Sequence, residues 1–221
     1  MALLPHSLKV AQLSALNILY DPLPVSVIVD GLEYPIKYNA ADMIKLAIVG
    51  EEVYEDISED EAYATKILKQ LEIFYPQIPK NYTAAAHEMA LFYLSATHEA
   101  AGTDGEQEYP GRRRQFSYEH DAELIYAAFA EQYGIRGLHN LHWYEFKALF
   151  DGLSEGCQLV EVMRIRTMKI DKDMSKREKE YYRKMKRIHA LPDRRTEAQR
   201  AKEFADPSRH RQIGGGLSRL F

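Results

Sequence analysis

The 221 residues carry 29 Lys and Arg against 33 Asp and Glu, a formal charge of −4, with 46% hydrophobic residues and a single Cys. That length and apolar content suffice for a sizeable core, and one thiol excludes an intrachain disulfide framework and fits a reducing compartment. No uncharged apolar run is long enough to span a bilayer, and Lys9, Gln12 and Asn17 interrupt the apolar start as they would not in a secretion signal, so a soluble intracellular protein with no membrane partner is expected.

Residues 1–20 read as an N-terminal extension with a short helix near Leu8–Leu19. Asp21-Pro22-Leu23-Pro24 is extended, Val25–Val29 alternates and is β-branched, and Leu32–Ile36 returns after Asp30-Gly31. Asp-Gly between two such runs predicts a hairpin with a type I′ turn, because both central positions need positive φ. Pro35 lacks an N–H, so the return strand is expected to be an edge or to be irregular there. From about residue 41 the period becomes helical.

Ser58 with Glu61 forms a capping box, and Tyr63, Ile67, Leu71 and Phe74 recur on one face of the helix it opens. Pro76 and Pro79 stop that helix. Thr83 is the expected cap of the next, whose stripe is Ala85, Met89, Phe92 and Ala96. A polar loop, Gly102–Gly111, runs into Arg112-Arg113-Arg114. Ser117 is the expected N-cap of a helix carrying Leu124, Ile125, Ala128, Phe129 and Tyr133, with Gly134 at a left-handed C-cap. Trp143, Phe146, Phe150 and Leu153 form the next stripe, expected to bury Trp143 among Phe129, Phe146 and Phe150. A shorter helix follows with Leu159, Val162 and Met163.

Beyond Asp171 the composition turns basic. Ser175 and Glu178 repeat the capping box, opening a helix with a narrow Tyr181–Met185–Ile188 seam that Pro192 ends. Arg194–Phe204 reads as a short polar helix, and Gly214-Gly215-Gly216 as a hinge. The fold class expected is mainly α. A helical body with a small N-terminal β-hairpin spans residues 21–170, and a protruding basic C-terminal helix lies in a tail, residues 171–221, that is flexible at its end.

Chemical motifs are sparse. His139, His142 and Glu145 share a helical spacing, but not the His-Glu-x-x-His of a metalloprotease, and His142 beside Trp143 reads as a packed residue. His120-Asp121 has the elements of a base without a placed nucleophile. Cys157 reads as structural, and Gly214–Gly216 lacks the Lys-Ser/Thr and preceding strand of a phosphate loop. No catalytic, metal or cofactor residue is assigned, and the chain is not expected to be an enzyme.

Charge is more informative. Residues 1–110 hold six Lys, no Arg and seventeen acids, so 6 − 17 = −11, and residues 111–221 hold 23 bases and 16 acids, so 23 − 16 = +7. Such a dipolar chain can pair head to tail with copies of itself or fold its tail back on its own body, and homo-oligomers that weaken with salt are expected. Lys172–Arg187 carries eight bases and three acids, a net of +5, with Tyr181 and Tyr182 interleaved. Basic helices with aromatics track phosphates, yet the acidic first half and the missing nucleic-acid module make nucleic acid the less favoured partner. The helical spacing favours a protein-docking helix over a simple solvated one, with Tyr181, Met185 and Ile188 as the apolar contact and Lys184 and Arg187 beside it.

Three blocks, DPLPVSVIVDGLEYPI, HDAELIYAAFAEQYGI with LHWYEFKALFDGL, and YYRKMKRIHALPD, occur in this order across Asp21–Asp193. Together they resemble the bacteriophage gene product fifteen family, small tail-morphogenesis proteins regarded as tail assembly chaperones. Arg136 stands where that family typically has an acid, and the segments before Asp21 and after Asp193 look like extensions. The resemblance implies a chaperone in the host cell cytoplasm that binds and solubilises the tape measure protein, with other tail proteins as further candidate partners. It carries no catalytic residue over. The rival readings are a structural tail or head–tail component of the virion, and a basic-tailed nucleic-acid-binding regulator.

Overall fold

The computed structural model describes residues 16–95 and 114–193. The expected polar loop up to Arg113, Ala96, the polar helix Arg194–Phe204 and the Gly214–Gly216 hinge lie outside the described residues, as does most of the expected first helix. Its final residues are described and form a turn, in which the backbone N–H groups of Tyr20 and Asp21 donate to Asn17 O.

Strand β1 (Ser26–Val29) pairs antiparallel with β2 (Leu32–Pro35) from Ser26↔Pro35 to Val29↔Leu32. Asp30 at φ 49° and Gly31 at φ 80° make the turn that Asp-Gly predicts. The pair is asymmetric: Val27 and Val29 enter the core while β2 faces outward, as Pro35 at an edge requires. A lone hairpin is marginal in water, so its packing matters. Here β1 packs on α3 (Tyr82–Ser95), and Asn81 Nδ2 donates to both Asp30 carboxylate oxygens at 3.3 and 3.0 Å.

Helix α1 (Ala40–Gly50) starts at Asn39, whose side chain accepts from Asp42 N, and packs along α2 (Glu59–Phe74). The Ser58–Glu61 capping box forms as the sequence predicts. Four helices follow among the described residues: α4 (Ala122–Tyr133), α5 (Trp143–Asp151), α6 (Gln158–Thr167) and α7 (Lys176–Ile188). The fold is mainly helical with one small hairpin.

The core is built around stacked rings. Tyr93 lies on Trp143 at 5.0 Å and 22°, Trp143 on Phe146 at 5.4 Å and 16°, and Phe146 on Phe129 at 5.0 Å and 13°, so one column joins α3, α5 and α4. Trp143 is fully buried and its indole N–H donates to Tyr93 O at 3.2 Å. Its burial and its contact with Phe146 follow the predicted stripe, while Tyr93 is a partner that periodicity did not indicate. Backbone bonds from Ala40 N to Leu141 O and from Trp143 N to Tyr38 O, both 2.8 Å, clip the start of α1 to the start of α5.

Three local expectations need correction. Tyr63 is 67% exposed, although it shares a helical period with Leu71 and Phe74, because only the C-terminal half of α2 reaches the core. Asn81, and not Thr83, caps α3: its side chain accepts from Ala84 N at 3.1 Å, which leaves Thr83 within the first turn. Ser117 stands ahead of a separate turn, where it accepts from His120 N, and the cap position of α4 belongs to Asp121. Gly134 adopts the expected left-handed C-cap at φ 69°.

Candidate protein-docking surface

Helix α7 begins at the predicted capping box: Ser175 N donates to Glu178 Oε2 at 2.8 Å and Glu178 N donates to Ser175 Oγ at 3.2 Å. Its thirteen residues hold seven bases and two acids, so 7 − 2 = +5, and none of them is buried. Lys179, Tyr182, Met185 and Lys186 form the less exposed side, toward α6, against which the helix packs. Tyr181 and Ile188 are 54% and 60% exposed. One turn of helix is 3.6 residues, so positions 181, 185 and 188 align, and Met185 is the member that leans into the body. The seam therefore runs along the margin of the helix with Lys184 on its solvent side, and Arg187 is exposed farther round.

The base of this helix is held by contacts no local motif encodes. Arg166, in α6, is 8% exposed. Its Nη1 and Nη2 donate to the Asp121 carboxylate at 2.6 and 2.8 Å, Nη1 also to Gln115 O at 3.0 Å, and Nε to His189 O at 2.6 Å. Lys186 Nζ returns to Arg166 O at 2.9 Å, and Arg114 Nη2 donates to Pro192 O at 2.6 Å. One guanidinium thus joins α6, the start of α4 and the carbonyl that ends α7. Burial works to raise the Asp121 pKa, but the Arg166 hydrogen bonds and charge, with the N–H of Ser117, outweigh it and hold the carboxyl below its ordinary range. Helix α7 projects an exposed, positively charged side while its C-terminal end is fastened down.

A family model described as Bacteriophage Gp15 protein matches residues 19–191, which include every described element. The chain belongs to this family. It is accordingly a bacteriophage structural or morphogenesis protein. Comparison with curated proteins and with solved structures returns no match.

Of the other candidate residues in this Gp15-family sequence, His142, Glu145 and Asp121 are tied to neighbours within the fold. His142 Nδ1 accepts from Tyr144 N at 3.1 Å, so its Nε2 carries the proton donated to Pro24 O at 2.9 Å. Both ring nitrogens are thereby committed to backbone, and the ring stacks on Tyr38. Burial lowers the His142 pKa and keeps the ring neutral. Glu145 closes the capping box through His142 N at 2.9 Å while His139 faces solvent, so the three do not converge. The pairing of His120 with Asp121 as a base is not formed, because Asp121 turns to Arg166. Half-buried Cys157 stands at the N-cap of α6. Among the described residues no helix is long and apolar enough to cross a membrane.

Sequence reasoning missed Arg166, and considered Asp121 only as part of a base with His120, whereas the two together position the candidate surface. The available signal was weak: a single Arg at the otherwise apolar spacing Leu159, Val162, Arg166 of a short helix.

Proposed function

We propose that this chain is a tail assembly chaperone that binds the tape measure protein and keeps it soluble in the host cytoplasm until the tail tube polymerises around it. The observation that carries this reading is the pair of large apolar side chains, Tyr181 and Ile188, exposed on a basic helix whose base is fastened to the body. A tape measure is a long helical chain with apolar seams that self-associate when uncovered. A presented helix with an apolar strip covers such a seam, and the surrounding Lys and Arg speed the encounter more than they strengthen the complex. Membership of a family of bacteriophage proteins supports the setting.

The test is co-expression with the candidate tape measure protein, followed by solubility and pull-down measurements. Tyr181→Ser with Ile188→Ser should abolish solubilisation and leave the body folded, since both side chains are exposed. Lys184→Gln with Arg187→Gln should weaken it only moderately. The high charge of α7 also fits phosphate binding, which would reverse that order and shift DNA or RNA on a gel. Finding the chain in purified particles would favour a structural component over a chaperone.

A further inference from the structure

We propose that copies of this chain associate head to tail, with α7 of one copy docking on the acidic face at the start of α2 in the next. The inference shares α7 with the tape-measure reading but does not require it.

The two faces are opposite in sign and alike in pattern. Between Glu51 and Glu61 there are seven acids and no base, a formal charge of −7, against +5 on α7. Each face carries exposed aliphatic side chains and one exposed tyrosine among its charges: Val53, Ile57 and Tyr63 at 39%, 40% and 67% on the acidic face, Ile188 and Tyr181 at 60% and 54% on the helix. The near end of the acidic stretch is answered within the chain, Glu51 by Arg114 at 3.5 Å and Glu52 by Lys69 at 2.8 Å. Glu55, Asp56 and Asp60 are exposed. Arg114 reaches both Glu51 and Pro192 O, so the acidic stretch and the end of α7 meet at one point within the chain; Arg166 and the packing on α6 hold the helix itself there, and Glu55, Asp56 and Asp60 are what the proposal assigns to a neighbouring copy. Tyr63 is the informative residue, because a tyrosine at a core-like helical period that stands in solvent leaves a large apolar ring to be covered.

The proposal makes this contact one-way between neighbours, and not reciprocal across a two-fold axis, so its symmetry is heterologous. Such contacts close into rings or grow into open chains, in contrast to the paired dimer that one self-complementary patch makes. A series of copies in that arrangement would track a long rod-like partner. The charges are solvent-exposed, with a screening length of about 10 Å at 0.1 M salt, so encounter is salt-sensitive while the apolar pairs give persistence.

The test uses the full chain in sedimentation or light scattering over a range of concentration and salt. One variant blocks the acidic face (Glu55→Lys with Asp56→Lys, in the bend before the N-cap), the other the helix (Tyr181→Ser with Ile188→Ser). Wild type should form species larger than dimers at low salt that dissociate as salt rises. Each variant alone should run at the single-chain mass with an unchanged circular dichroism spectrum. An equimolar mixture should give a one-to-one complex that grows no further, since only one intact helix and one intact acidic face remain. A wild type that is monomeric at low salt and tens of micromolar chain, or a variant that assembles like wild type, or a mixture that stays monomeric, would overturn the proposal. The acidic-face variant keeps α7 intact, so its pull-down of the tape measure protein should persist. Loss of assembly without loss of pull-down separates this inference from the functional one.

Discussion

Replacing Arg166 with Met removes the guanidinium that answers Asp121 and keeps much of the aliphatic stem. Asp121 is 3% exposed, and without Arg166 its carboxylate retains only the Ser117 N–H at 2.9 Å. Gln115 O and His189 O each lose the donor described above. Breaking a buried ion pair from one side costs about 3–5 kcal/mol, a large share of the roughly 5–15 kcal/mol that stabilises a typical domain. Urea unfolding followed through Trp143 fluorescence measures it. A pH series adds a sign that simple loss of packing would not produce. In the wild type the folded pKa of Asp121 lies below the ordinary 3.8, so its contribution is present above that value and lost as pH falls through the folded pKa. In Arg166→Met burial is opposed mainly by the single Ser117 N–H, so the folded pKa should rise relative to wild type, and the deficit should shrink as acid protonates the carboxyl. Asp121→Leu with Arg166→Met should recover much of the loss. A loss below about 1 kcal/mol, or a deficit that does not narrow with acid, would refute the reasoning.

Trp143→Ala should destabilise by about 3–5 kcal/mol, since it empties the centre of the ring column, and wild-type fluorescence should be that of a shielded indole. Burial holds His142 neutral, so below the ordinary 6.5 the unfolded chain takes a proton that the folded chain refuses, and stability should fall with pH there. His142→Asn keeps a capping side chain and should flatten that slope relative to wild type, seen by denaturant unfolding at a series of pH values. Asn81→Ala should cost about 0.5–2 kcal/mol through loss of the α3 cap, and Thr83→Ala no more than a few tenths, as measured by thermal unfolding.

The features legible in the sequence are those whose partners lie within one turn of chain. Asp30-Gly31 needs only its own two φ angles, the Ser58–Glu61 and Ser175–Glu178 boxes close over three residues, and Gly134 ends α4 because positive φ suits glycine. Helical period likewise identified the Trp143–Phe150 stripe and the Tyr181–Met185–Ile188 seam, since those positions align on any α-helix. Period does not say which stretch of a stripe meets another element. Tyr63 and Leu71 are equivalent by period, and only the packing of α2 puts one in water and the other in the core. The contacts that fasten the candidate surface span longer separations: Arg166 finds Asp121 across 45 residues and His189 across 23; in the core, His142 finds Pro24 across 118. No local signal encodes such pairs, because the partners become neighbours only after the helices pack. Sequence alone determined the elements and the charge on α7. Tertiary packing decided how that helix is held and which of its side chains, Tyr181 and Ile188, remain in solvent.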